Sequence, residues 1–144
     1  IGGENAVQGA ERIETEVLTH RPDILLIDYA LNDRGIGLGK AHEAWVSMIQ
    51  KAQSQGAKVI LLTPTGDHRA DMSNVDDPLN QHADQIRKLA IEHKVALVDS
   101  LSLFKNYTDA GNSLSDLMSQ VNHPNRRGHD LVADALLDWF SIGD

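Results

Sequence analysis

The sequence predicts an α/β domain built on a parallel sheet, and three observations carry that expectation. Helical stripes and short apolar runs alternate along the chain. The runs show no polar alternation, as suits strands covered by helices on both faces. Polar segments cluster after the runs, where ligands bind in such sheets. Ala6, Ala10, Ile13 and Val17 form the first stripe, ahead of Pro22 and the apolar run "DILLID". A Gly-rich loop precedes a second stripe at Ala41, Ala44, Trp45, Met48, Ile49 and Ala52. "GAKVILLTP" reads as a turn and a second buried strand. The polar stretch "TGDHRADMSNVDD" leads to a third stripe at Leu79, Ala83, Ile86, Leu89 and Ala90, and "VALVD" is the next strand. Asn125 then caps a terminal helix over 126–140, with Leu131, Val132, Ala135, Leu136, Trp139 and Phe140 at helical spacing. Crossovers of this length imply right-handed connections.

The 144 residues suffice for one domain, taken as 1–144. Acidic residues number 21 against 13 basic, a formal net charge of -8, which opposes a nucleic-acid partner. The absence of cysteine excludes disulfides and thiolate chemistry without fixing a compartment. Runs such as "ILLI" are too short to span a membrane, so no membrane partner is expected. No signal peptide is visible, and "IGGENAVQG" does not resemble a natural start. The chain reads as cut, with a first strand expected upstream of Ile1.

Three polar segments follow the strands: "YALNDRG", "PTGDHRAD" and "DSLSLF". "GIGLGKA" at 35–41 lacks the glycine and hydroxyl residue of a phosphate loop, since Arg34 and Ala41 stand there, and Lys40 breaks the dinucleotide pattern. Asp67, His68 and Asp71, near Asp76 and Asp77, could hold a divalent metal, although a solvated acidic loop explains them equally. His20, His42, His82, His93 and His129 lie on or beside helices, where surface or capping roles are expected. His123 precedes Pro124 and is therefore held in extended or turn backbone at the mouth of the last helix. Asn32 lies a few residues past the first apolar run, and Gly2 and Gly3 face a helix start with free N–H groups. A histidine, an amide donor and a glycine N–H on one rim are parts of an acyl-transfer site. The nucleophile is missing.

"GENAVQGAERI", "DILLIDYALND" and "NHPNRRGH", in this order and spacing, resemble the second, third and fifth blocks of the SGNH (GDSL-type) hydrolases. The resemblance covers nearly the whole chain, and its most specific part is the His-Pro-Asn block. It implies a flavodoxin-like three-layer α/β/α sandwich whose N-terminal strand, with the serine of a Gly-Asp-Ser motif, precedes Ile1. It further implies that Gly3 and Asn32 form the oxyanion hole and that His123 is the general base. Asp33 is expected to brace its loop through backbone N–H bonds, while Tyr29 and Asp67–Asp71 are candidates to line the substrate site. Two positions depart from the family pattern: Ala30 replaces a glycine, and Gln120 replaces the aspartate that orients the base. Gln120 is thus a possible orienting residue or one that points away.

The function implied is a serine esterase that hydrolyses short acyl esters through an acyl-enzyme, with O-acetyl groups on carbohydrate the leading substrate. Neither a metal nor an organic cofactor is implied. A carbohydrate substrate would lean toward an extracellular or periplasmic setting. The expected partners are the acyl ester and the protein's own N-terminal segment, which would complete the sheet. Two alternatives stay open: a non-catalytic ligand-binding pseudoenzyme on the same scaffold, and metal-dependent hydrolysis through Asp67 and His68.

Overall fold

The computed structural model describes residues 1–140. Three strands form a parallel sheet in the order β1 (Ile24–Ile27), β2 (Lys58–Leu62), β3 (Ala96–Val98), with Ile24 opposite Lys58 and Ile60 opposite Ala96. Side chains alternate across a strand, so β2 feeds two layers at once. Val59 and Leu61 pack with α1 (Ala6–Arg12), α3 (Leu38–Ser54) and α4 (Pro78–His93) on one face. Ile60 and Leu62 meet Val132, Ala135 and Leu136 of α6 (Arg126–Leu137) on the other. This is the expected three-layer arrangement. Every residue of the second and third apolar stripes is buried. Full burial of a leucine or isoleucine stabilises by about 1.5–3 kcal/mol, so α3 and α4 are held by this face rather than by helix propensity.

The cover on the α6 side is incomplete among the described residues. Leu26 of β1 is 44% exposed and Trp139 is 54% exposed, although the Trp139 indole donates to the Leu97 carbonyl at 3.1 Å. β1 pairs with β2 alone, which leaves its other edge open among the described residues. None of the described helices is long and apolar enough to cross a membrane.

Two elements depart from the expected loops. Residues 30–33 form a single helical turn, α2 (Ala30–Asp33). "DSLSLF" opens a helix, α5 (Ser100–Asp109), instead of a polar loop. Asp99 caps it by accepting from the Ser102 N–H at 3.2 Å, and Arg87 fixes that carboxylate with bonds of 2.8 and 2.9 Å. Leu101 and Phe104 then give α5 its buried stripe. The Gly-rich stretch is a turn that ends in Gly37, the residue that caps α3.

At the carboxyl end of the sheet, two ties hold the loops in place. Between β2 and α4, the fully buried Asp67 accepts from Arg34 Nη2 at 2.7 Å, Arg69 Nη2 at 2.8 Å and Arg69 Nε at 3.0 Å. Burial pushes this carboxyl up, but the Arg69 and Arg34 bonds outweigh it and hold the group well below the usual carboxylate range. The other tie is Gly128, in the first turn of α6. A Cβ there would run into the Leu117 carbonyl and come within 3.0 Å of Pro124 Cβ, so the chain before α6 packs against bare backbone.

Gly128→Ala is therefore expected to destabilise the protein by about 1–3 kcal/mol, despite the gain of about 1 kcal/mol that alanine brings to a helix. A urea midpoint at or above wild type would show that the site has room. For Asp67, a depressed folded pKa means that the unfolded chain binds more protons at acid pH. The stabilisation is thus fully present above the ordinary value of 3.8 and is lost as pH falls through the depressed value. Asp67→Asn should be less stable than wild type near neutrality, and urea melts should show the gap narrowing below about pH 4.

Candidate active site

The segment after β1 sets two side chains to opposite sides. α2 is a single turn in which Asn32 and Asp33 N–H groups both donate to the Tyr29 carbonyl, at 2.9 and 3.1 Å. Asp33 points inward and is fully buried; its Oδ1 accepts from the Ala6 N–H at 2.7 Å and its Oδ2 from the Trp45 indole at 2.6 Å. Asp33 does brace the loop, through one backbone N–H and one tryptophan. Burial pushes its carboxyl up, and the bonds from Trp45 and Ala6 offset only part of that.

Asn32 points outward. Its Nδ2 donates to the Glu4 carbonyl at 2.7 Å, which spends one of the two amide hydrogens and fixes the direction of the other. That carbonyl directly follows Gly3, whose φ of +76° suits glycine and few other residues. The Gly3 N–H has no acceptor among the described residues. Four bonds pin this turn: one from Asn32 to the Glu4 carbonyl, one from the Ala6 N–H to Asp33, and two from the half-hidden Arg12 to the Glu4 carboxylate at 2.6 and 2.7 Å. The structure thus brings Gly3 and Asn32 together, and each offers a spare N–H.

The histidine arrives from the other side of the rim. Its backbone closes a tight loop: the His123 carbonyl accepts from the Ser119 N–H at 2.9 Å and from the Gln120 N–H at 3.3 Å, and Met118 bridges Pro124. Asn125 caps α6 through the Gly128 N–H at 3.1 Å and donates to the Asp116 carbonyl at 2.9 Å. The His123 side chain is exposed, and its ring has no hydrogen bond among the described residues. Gln120 is exposed too, and its link to His123 is through backbone only.

One loop joins these halves. The His68 N–H donates to the Val121 carbonyl at 2.9 Å, beside His123, while Asp67 grips Arg34, beside Asn32. The segment 67–69 therefore ties the chain around Asn32 to the chain around His123.

Several expectations change on contact with the structure. Tyr29 does not line an open site: its ring packs edge-on to Trp45 at 6.5 Å and its hydroxyl donates to Glu4 at 3.4 Å. Its neighbour Gly9 leaves no room for a Cβ against that ring. His82 is not a surface histidine. It is 4% exposed on α4, close enough to Asp33 to interact, and burial lowers its pKa. Asp67 cannot serve a metal while two guanidiniums occupy its oxygens, since their charge opposes a cation there. Among the described residues no group of three or more His, Asp or Glu side chains could hold a metal ion. The Ala30 side chain, at the departure from the family pattern, lies outside the described residues. Sequence reasoning missed Arg34, which reaches Asp67 across 33 residues, and named Arg69 only within the range Asp67–Asp71, without its bond to Asp67.

The family model described as GDSL-like Lipase/Acylhydrolase matches residues 1–131. Among solved structures, the chain is similar to the acetyl xylan esterase AlAXEase, with 28% identity, a TM-score of 0.79, and coverage of 96% of this chain and 77% of that one. It also shares the fold of Axe2, an acetylxylan esterase from Geobacillus stearothermophilus, at 21% identity and a TM-score of 0.82, over 98% of this chain and 69% of that one. LAE5, an alpha/beta hydrolase enzyme from the metagenome of Lake Arreo, Spain, aligns at 22% identity and a TM-score of 0.79, over 94% of this chain and 67% of that one. No curated protein matches the chain. With a family model matching nearly its whole length, the chain belongs to the GDSL-like lipase/acylhydrolase family, hydrolases that act on ester bonds.

Proposed function

We propose that this chain supplies the oxyanion hole and the general base of a serine esterase acting on short acyl esters, with O-acetyl groups on carbohydrate as the substrate. The observation that carries this reading is the 2.7 Å bond from Asn32 Nδ2 to the Glu4 carbonyl. It locks the amide donor to the turn that holds the Gly3 N–H, so two donors are fixed before any charge develops. Preorganised donors of this kind are each worth about 10²–10³ in rate. The similarity to AlAXEase, an acetyl xylan esterase, supports acetyl as the acyl group and a sugar as the alcohol.

The nucleophile in this reading is a serine on a strand that adds to the open edge of β1 and covers the exposed Leu26. Its hydroxyl oxygen attacks the ester carbonyl while a ring nitrogen of His123 takes the proton. The negative oxygen of the tetrahedral intermediate accepts from Asn32 Nδ2 and the Gly3 N–H. Collapse expels the sugar hydroxyl, protonated by His123, and leaves an acyl-serine. Water, deprotonated by the same histidine, then releases the acid. The proposal extends to one catalytic domain spanning 1–144 and the strand that joins it, set outside the cytoplasm where such glycans occur.

In the full-length protein, His123→Ala should depress turnover of a short acyl ester at least about a hundredfold. Asn32→Ala should cost about 10²–10³. His123 is exposed and its ring has no hydrogen bond among the described residues, so its variant should keep the wild-type thermal midpoint. Asn32→Ala gives up one bond to Glu4, worth about 1 kcal/mol, and should lower the midpoint by only a few degrees. Near-normal turnover in either variant would remove that residue from the mechanism and leave a ligand-binding scaffold as the better account. Gln120→Ala should run close to the wild-type rate, because no side-chain bond ties Gln120 to the ring. A clear loss there, with a gain in Gln120→Asp, would instead assign Gln120 to orienting the base.

A further inference from the structure

The segment 67–69 that joins the two halves of the rim carries an unusual balance of charge. Arg34 and Arg69 converge on one fully buried carboxylate, and the Nη2 atoms of both meet Asp67 Oδ2, at 2.7 and 2.8 Å. Arg69 is held along its length, with its backbone N–H and its Nε donating to Asp67 Oδ1 at 2.9 and 3.0 Å. The Arg34 Nε is committed to the Leu31 carbonyl at 3.2 Å. The Nη1 atom of each guanidinium has no hydrogen-bond partner among the described residues. Two cations against one anion leave a net charge of one, and the like charges repel across the shared oxygen.

This clasp is not an ordinary surface ion pair. Its carboxylate is inaccessible to solvent while the Arg69 side chain is 60% exposed and that of Arg34 24%, so Arg69 is fixed from behind and open in front. Arg34 is two residues from Asn32, and His68 is bonded to Val121, two residues from His123. The clasp therefore sits on the segment that ties the turn of Asn32 to the loop of His123. The overall charge of -8 does not cancel this, because the field of distant exposed acids is screened beyond about 8 Å.

The geometry points to Arg34 and Arg69 as a subsite for a carboxylate on the substrate: the ester is borne by an acidic glycan, and a uronic acid carboxylate next to the acylated sugar docks on the clasp. This rests on the esterase reading, whose substrate it narrows. A planar guanidinium fork matches a planar carboxylate, and a single anionic charge balances the residual one. Phosphate, carrying up to two charges, would be undercompensated.

Binding tests this separately from turnover. D-glucuronate, D-glucose and inorganic phosphate are titrated into the full-length protein, with the Arg69 Nε–H resonance followed by NMR. Glucuronate is expected to shift that resonance and glucose to leave it unmoved. Arg69→Gln should weaken glucuronate binding about tenfold, the size of one charge-assisted contact. Arg69→Lys should recover only part of it, since lysine keeps the charge and loses the fork. Arg34 stays bonded to Asp67 in both variants, and a urea melt of each, run beside the titration, establishes that binding is read from folded protein. Glucuronate that binds no better than glucose, or binds equally to Arg69→Gln, overturns the subsite, as does tighter binding of phosphate. Acetyl-ester turnover by a protein that ignores glucuronate leaves the esterase reading standing and removes only the subsite. Arg69-dependent glucuronate binding without any ester turnover upholds the subsite and removes the esterase reading alone.

Discussion

The buried carboxylate of Asp33 is the constraint on which the rest of the site depends. An ionised carboxyl without partners in a core would cost several kcal/mol, so its two N–H donors are obligatory rather than decorative. Those donors come from different parts of the chain: the Ala6 N–H from the start of α1, and the Trp45 indole from α3. One side chain thus sets the distance between the first helix, the second large helix and the end of β1. Asn32, its neighbour in a one-turn helix, has to face the other way. The turn that holds Gly3 is carried to Asn32 by the same bond to Ala6, and the two donors proposed for the oxyanion are placed by the acid next to Asn32.

The two halves of the rim are built by different physics. On the Asn32 side the donors are fixed by charge and burial, through Asp33 and through the Glu4–Arg12 pair, whose arginine lowers the glutamate pKa despite its burial. On the His123 side the backbone is fixed by neutral bonds around Asn125 and by the close approach of Gly128, and the ring stays in solvent. The division suits acyl transfer. An oxyanion hole works by not reorganising, whereas a histidine that accepts a proton from one oxygen and returns it to another must serve two partners.

How much of this was legible in the sequence depends on the range of each interaction. The strands and the large helices were read from apolar spacing, because a residue's neighbours in period already tell which face is buried. Asn125 and the backbone restriction at His123 were also local, set by the residue that follows. α5 was misread as a loop: its N-terminal acid caps the helix, but the same acid and serines in isolation look like turn chemistry. His82 was taken for a surface residue, since nothing in α4 announces that the face of the helix carrying it meets Asp33. The Arg34–Asp67 contact spans 33 residues of chain, and no spacing rule reaches that far. The sequence marked the segment 66–71 as polar and left a metal site and a solvated acidic loop both open, because Arg34, which joins Arg69 on Asp67, comes from another loop.

That sign matters for how an acidic protein presents its rim. A net charge of -8 spread over a solvated surface does little at short range, while a carboxylate buried at zero exposure acts on its two partners through low-dielectric surroundings. Burying Asp67 requires a guanidinium to satisfy it. Two guanidiniums meet it, and the more exposed one, Arg69, makes most of the bonds. Arg69 meets that demand with three bonds and Arg34 with one, and the pair still carries one more positive charge than the carboxylate balances. A loop that had only to join two halves of a site could have done so through the His68 to Val121 bond alone. The surplus charge belongs to whatever the rim receives.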